Sequence, residues 1–229
     1  MANGFQYVNN DNDTMVAKRH IQAKASTQFV AGGLLEIALG VLLPLNAATD
    51  KAFGVFDSLS VPAAVPRPTT KRLSTTAGEV VGMIPCLDND AIFQTDMSGT
   101  DAPIMQNLAV ISGTTTTVVI ADTTSGTTSD FNGGCILVNG EQRNIVTSVL
   151  AAGNFTITVD RAFTTAPAAG DKYTACYFNA GMKNVKLAAT NPDQGVSRAL
   201  ADLSGGYVEI YKVILSHTDA KVQVKFRSA

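Results

Sequence analysis

The sequence predicts an all-β fold: a barrel-like host domain, a small β-barrel or sandwich module inserted within it, and an extended N-terminal arm. Three observations carry that prediction. Apolar residues alternate with polar ones in short runs, the period of a strand with one buried face. Asn139-Gly140, Gly153-Asn154 and Gly170-Asp171 punctuate those runs with turn chemistry. The stretch from Ser112 to Phe178 has little charge and threonine-rich patches at its front and near its end, so it reads as a module of its own.

A chain of 229 residues holds one large domain or two small ones, and 45% hydrophobic residues suffice for a core. Charged residues make up only 16%, with a net charge of −2, against about a quarter charged in an ordinary globular chain. That balance lacks the concentrated basic stripe of a nucleic-acid binder, so no nucleic-acid partner is expected. A surface so weakly charged is suited to assembly into something larger. Cys86, Cys135 and Cys176 form no CxxC pair, and their odd number argues against a disulfide framework. They are expected to be small buried hydrophobes. The polar first twenty residues do not read as a signal peptide. The apolar run from Phe29 to Leu45 is broken by Glu36, glycines and Pro44, too short for a membrane helix of about 20 residues. No membrane partner is expected.

Residues 1–27 read as the arm, polar and turn-rich around Asn9–Asp13, with Lys18, Arg19, His20 and Lys24 as its basic cluster. Such an arm is expected to order on a neighbouring subunit. In residues 28–59, Leu34, Ile37 and Leu42 fall near one helical face. Gly40 and Pro44 interrupt that helix, and Phe53, Val55 and Leu59 follow with period two, so strands on either side of an Asn46–Lys51 turn fit better. Residues 60–77 read as a loop, because Pro62, Pro66 and Pro68 remove backbone donors. Two short strands are expected around Asp88-Asn89-Asp90.

Within residues 112–178 five strands are expected. Thr115–Ala121 is the first. Gly134–Val138 and Glu141–Val149 form a hairpin across Asn139-Gly140. Asn154–Asp160 alternates Phe155, Ile157 and Val159 with Thr156 and Thr158, and Lys172–Phe178 follows a turn at Pro167–Asp171. Beyond the module, Val185–Ala189 reads as a strand, and Val196–Leu203 as a short helix stopped by Gly205-Gly206. A final hairpin, Tyr207–Ser216 and Lys221–Phe226, places Val222, Val224 and Phe226 inward and Lys221, Gln223 and Lys225 outward. The expected organisation is an arm at 1–27, a discontinuous host domain at 28–111 plus 179–229, and an insertion at 112–178.

Catalytic motifs are missing. There is no nucleophile elbow, phosphate loop, dinucleotide fingerprint or HExxH. His20 and His217 are the only histidines, too few for a histidine-based metal site. Asp11 and Asp13 begin like a calcium loop, but Val16 and Gln22 stand where its glycine and terminal acid belong. Asp88 and Asp90 read as a turn rather than an acid–base pair. No catalytic residue, metal ligand or cofactor is expected, and the protein is not expected to be an enzyme.

Two stretches resemble known viral proteins. GVLLPLNAATDKAFGVFD, followed by GEVVGMIPCLDNDAIFQTDMSGT, resembles the glycine-punctuated strand pairs of β-tulip decoration proteins. DFNGGCILVNGEQRNIVTSVLAAGNFTITVDRAFTTAPAAGDKYTACYF resembles a β-module inside many phage head and tail proteins. On these residues, roughly 28–178, the chain resembles a tailed-bacteriophage capsid decoration (cement) protein. The resemblance implies a structural virion protein on the outer capsid surface, made in the host cytoplasm. It implies binding to the major capsid protein, commonly as a homotrimer, and no catalysis. Candidate capsid or subunit contacts are Phe5, Tyr7, Lys18, Arg19, Leu42 and Leu43. The alternative is a head-fibre or tail adhesin binding a host-surface glycan, which an exposed aromatic cluster within 112–178 would favour. Self-association is expected on a second ground. Leu34, Leu35, Leu39, Val41, Leu42 and Leu43 alternate onto both faces of any strand they form, so one buried face cannot cover them.

Overall fold

The computed structural model describes residues 6–10, 19–30, 32–45, 53–59, 72–74, 80–86, 91–96, 104–123, 130–183, 185–188, 195–200 and 207–227. Every regular element among them is a strand, and the fold is all-β.

One sheet runs β2 (Arg19–Gln22), β8 (Val80–Pro85), β6 (Gly54–Leu59), β4 (Leu34–Ala38) and β5 (Val41–Pro44), each antiparallel to the next. It curls until its two ends meet. Ala23, just past β2, bridges Leu42 in parallel, and the Lys24 amide donates to the Leu42 carbonyl at 2.9 Å. Strand alternation then sends neighbouring residues to opposite sides. Leu35, Leu42, Phe56 and Met83 pack inside the curl with Phe29, whereas Leu34, Val55 and Ile84 pack into a larger cluster outside it. Phe29 lies on β3 (Gln28–Val30), which pairs with β7 (Arg72–Ser74). The proline-rich loop expected over 60–77 therefore includes one strand; Pro62, Pro66 and Pro68 lie outside the described residues. Two cores, one on each face, bury Leu34, Leu35 and Leu42 of the leucine-rich run within a single chain. Leu34 and Leu42 are 0% exposed and Leu35 1%. For Leu34, Leu35 and Leu42 the burial expected from a second copy is thus supplied within the chain, while Val41 and Leu43 are half-buried and Leu39 is exposed.

A six-stranded sheet runs β1 (Gln6–Asn10), β9 (Ala91–Asp96), β19 (Lys221–Arg227), β18 (Tyr207–Ile214), β16 (Val185–Ala188) and β17 (Gly195–Leu200). β8 and β9 follow one another in the chain but enter different sheets, so they are not a hairpin. Asp88 and Asp90 lie outside the described residues. β17 replaces the helix expected at Val196–Leu203: pairing with β16 supplies the backbone partners that a short helix would have had to find within itself. Val222 and Val224 face the core as the alternation predicts, but Lys225, expected outside, is buried. Its ammonium sits 4.7 Å from the centre of the Tyr211 ring on the neighbouring strand, a cation–π contact that shelters the stem. Residues 1–27, expected as an arm, supply β1 and β2, the edge strands of two different sheets.

The remaining strands close into a six-stranded barrel rather than a sandwich: β10 (Ile104–Gly113), β11 (Thr117–Ala121), β14 (Asn154–Val159), β13 (Glu141–Ala151), β12 (Cys135–Val138) and β15 (Lys172–Cys176). β10 is the strand that the sequence conceals. It starts eight residues before the expected boundary at 112, and bulges between Met105 and Leu108 and between Val110 and Ser112 break its alternation. Inside, Val118, Ile120, Ile136, Val138, Ile145, Phe155 and Ile157 surround Tyr173. Phe131 stacks on Tyr177 at 4.2 Å and meets Phe155 edge-on at 5.0 Å.

Two substitutions test this packing. The buried Tyr173 hydroxyl has no hydrogen-bond partner among the described residues, and leaving such a group unpaired costs about 1–3 kcal/mol. Tyr173→Phe is therefore expected to leave stability in urea unchanged or raise it by up to about 1 kcal/mol. A Cβ on Gly134 would overlap the Cys176 carbonyl oxygen. That atom is backbone and cannot swing away, so Gly134→Ala is expected to destabilise by about 2 kcal/mol or more in the same assay.

Candidate functional site

Three two-residue hairpins among the described residues share one backbone shape with positive φ at both turn residues. They are Leu39-Gly40 (51° and 80°), Asn139-Gly140 (50° and 79°) and Ala152-Gly153 (49° and 76°). This turn matches strand twist and favours asparagine then glycine. Leucine is a poor first residue, because its Cβ meets the backbone in the left-handed region at about 1–2 kcal/mol. Leu39 is also 103% exposed, the most exposed large hydrophobic among the described residues, and Ile37 on the same hairpin is 40% exposed. No packing among the described residues explains an apolar side chain held at that strained tip. The β4–β5 tip is thus an apolar knob on the host domain.

A second surface lies on the barrel. Across β10, β11, β14 and β13 the register lines up Ser112, Val119, Thr156 and Val149 in one outward row, with Thr117, Thr158 and Thr147 in the next. Neither row carries a charge, and the β13 bulge turns Val146 out beside them, 53% exposed. The threonines at the β10–β11 tip have structural work. Thr114 Oγ1 accepts the Thr117 amide at 3.1 Å and lies 2.8 Å from Thr117 Oγ1.

Polar groups in the barrel close its ends. Arg143 ion-pairs with Glu141, donates to the Ala162 carbonyl, and lies over the Phe163 ring at 5.3 Å. Glu141 in turn accepts the Thr164 amide at 3.1 Å. Burial alone would raise the Glu141 pKa; the Thr164 amide and hydroxyl together with Arg143 outweigh it and hold the carboxyl below its ordinary value. Asp171 accepts from the Ala168 amide at 2.9 Å and from Asn139 Nδ2 at 2.7 Å, tying two turns together and lowering its pKa. At the joint with the host, Thr174 Oγ1 lies 3.2 Å from the Ser216 carbonyl and 3.0 Å from His217 Nδ1, and the Asn107 amide donates to it at 3.3 Å. All three bonds form together when His217 carries a proton on Nδ1. Gln106 Nε2 also donates to the Ser216 carbonyl, at 3.2 Å.

The structure does not bring the sequence-predicted contacts into one site. Phe5 and Lys18 lie outside the described residues. Tyr7 is half-buried on β1, its ring edge-on to Phe93 at 5.9 Å. Arg19 is exposed on β2 opposite Met83. Leu42 faces the inside of the curled sheet and offers nothing to a partner, while its half-buried neighbour Leu43 pairs with Glu36. The sequence does not mark Leu39, Val146 and Val149 as surface residues. A glycine after Leu39 was the available signal for the turn; nothing in the sequence signals that the leucine points outward. All six aromatic residues of 112–178, namely Phe131, Phe155, Phe163, Tyr173, Tyr177 and Phe178, are buried. His217 is half-buried at the joint. Among the described residues no group of acidic, histidine or cysteine side chains is placed to hold a metal, and no helix is long and apolar enough to cross a membrane.

These features define an all-β protein whose host sheets carry a closed six-stranded barrel and a hydrophobic hairpin tip. No protein-family model, curated protein or solved structure matches the chain.

The lowered Glu141 pKa has a measurable sign. Its contribution to stability is fully present above the unfolded-state value and is lost as pH falls through the folded-state value. Glu141→Gln is expected to be less stable than the parent at neutral pH. The gap should close as the pH drops below 4.5, the group's ordinary value. Paired thermal melts from pH 7 into the acid range check this; a gap that stays constant would show that the ion pair and Thr164 bonds contribute nothing.

Proposed function

We propose that this is a structural virion protein that decorates a phage capsid, binding the major capsid protein with its host domain and bearing the inserted barrel outward. The observation that carries the reading is Leu39. A leucine held at a positive-φ turn and fully in water is disfavoured twice in the free protein, and burial in a partner would recover the second cost. The open edge strand β1 offers a second mode, addition of a strand from a neighbour. The outward, uncharged threonine and valine rows of the barrel suit a face that meets solvent or another capsomer without electrostatic steering. β-Tulip character, the three-copy arrangement, the place on the outer capsid surface and the lack of catalysis all rest on the resemblance of residues 28–178 to decoration proteins.

The adhesin reading is weaker on one specific ground: the exposed aromatic platform that would favour it is not there, since every aromatic ring of the barrel segment is buried.

Leu39→Asn separates binding from folding. Asparagine suits the first position of this turn, so the free protein should melt at the same temperature or higher. Binding to purified capsid shells that lack the protein, read by co-sedimentation, is expected to weaken about tenfold or more, the loss of about 1.4 kcal/mol or more of buried leucine. Unchanged shell binding by this variant would remove Leu39 as the contact, and failure of the parent protein to bind shells at all would overturn the decoration reading.

A further inference from the structure

We infer that Cys135 and Cys176 are a disulfide-forming pair, reduced in the structure and able to close into a covalent staple between β12 and β15. The inference does not rest on the shell-binding reading. Although all three cysteines are buried free thiols in one apolar cluster, only these two are partners in a sheet. The β12–β15 register places Cys135 directly opposite Cys176. Directly opposed residues of an antiparallel pair have Cα atoms about 4.5–5.5 Å apart, inside the range of about 4.4–6.8 Å that a disulfide spans.

The side chains converge as well. Both sulfurs are held by the backbone of a single residue: Cys135 Sγ donates to the Phe178 carbonyl at 3.2 Å, and the Phe178 amide donates to Cys176 Sγ at 3.1 Å. Gly134, with no Cβ, lets the chain before Cys135 press against the Cys176 carbonyl. Cys86, just past β8, packs in the same cluster but lies outside any strand and has no such register with either.

The chemistry balances with a small disulfide, such as oxidised glutathione, as the oxidant. The thiolate of one cysteine attacks the small disulfide, forming a mixed disulfide and releasing one small thiol. The second cysteine's thiolate attacks the protein sulfur of that mixed bond, forming Cys135–Cys176 and releasing the second small thiol. The protein loses two protons and two electrons; the small disulfide gains them. Neither sulfur reaches solvent, and burial, with Cys135 beside it, pushes the Cys176 thiol well above its ordinary pKa. The reaction is therefore slow in the closed molecule and speeds up when the barrel base opens. Once formed, the bond ties off a loop containing β13 and β14 and so constrains the unfolded chain.

The test takes the full-length protein through unfolding and refolding, once with oxidised glutathione and once with reductant. Both samples are then denatured, alkylated and peptide-mapped. The expected product is lighter by about 2 Da before alkylation, contains one cross-linked peptide holding Cys135 and Cys176, and carries alkylated Cys86. It should melt about 5 °C or more above the reduced form. Cys86→Ser should behave as the parent does, and Cys176→Ser should lose both the cross-link and the shift. Three free thiols after oxidation, a product stalled at a glutathione adduct, a cross-link to Cys86, or a lowered melting temperature would each overturn the inference. The parent and Cys86→Ser results decide it even if Cys176→Ser does not fold.

Discussion

The molecule depends on one apolar cluster shared by its three main sheets. Cys135, Cys176 and Phe178 at the base of the barrel pack with Leu34, Val55 and Ile84 from the outer face of the curled sheet. They also pack with Phe93, Val208, Ile210, Val222 and Val224 from the six-stranded sheet. Fully burying a side chain of this size is worth about 1.5–3 kcal/mol, so the joint far outweighs any single hydrogen bond across it. The barrel has its own core around Tyr173, yet its base is finished by residues of the host. The barrel is thus a closed sheet with a core of its own that also forms one wall of the shared interior.

That interior explains why the surface is the place to look for function. The polar groups that sequence reasoning could have enlisted for chemistry have structural partners: Glu141 and Arg143 close a loop, Asp171 joins two turns, and His217 and Thr174 fasten the barrel to the C-terminal hairpin. What remains unexplained by packing is apolar and exposed. Among the described residues it includes the strained Leu39 tip on the host, the valines of the barrel face, and Val8, Val80 and Ile111 on other strands. Surfaces of that kind suit contact with another protein better than recognition of a charged or sugar ligand.

How much of this was legible follows from how local each signal is. The Asn139-Gly140 hairpin, the alternating strand Asn154–Val159 and the inward row Val222, Val224 and Phe226 are set by neighbouring residues, and the sequence displays them. β10 was hidden because two bulges scramble its period. β17 reads as a helix in sequence because its pairing partner, not its own pattern, decides its state. The split of β8 and β9 into different sheets and the meeting of Ala23 with Leu42 are long-range choices with no local mark. The same closure swallowed Leu42, which looked like a contact residue, while Leu39, three residues earlier, was turned outward by the hairpin.

The central claim is that this chain coats a capsid through its host domain. A cryo-electron microscopy reconstruction of the virion at side-chain resolution tests it directly. The account predicts many copies over the head, with the Leu39 tip buried against the major capsid protein and the barrel standing outward. Density for this fold found only at the tail, or on the head with the Leu39 tip in solvent and the barrel against the shell, would contradict it.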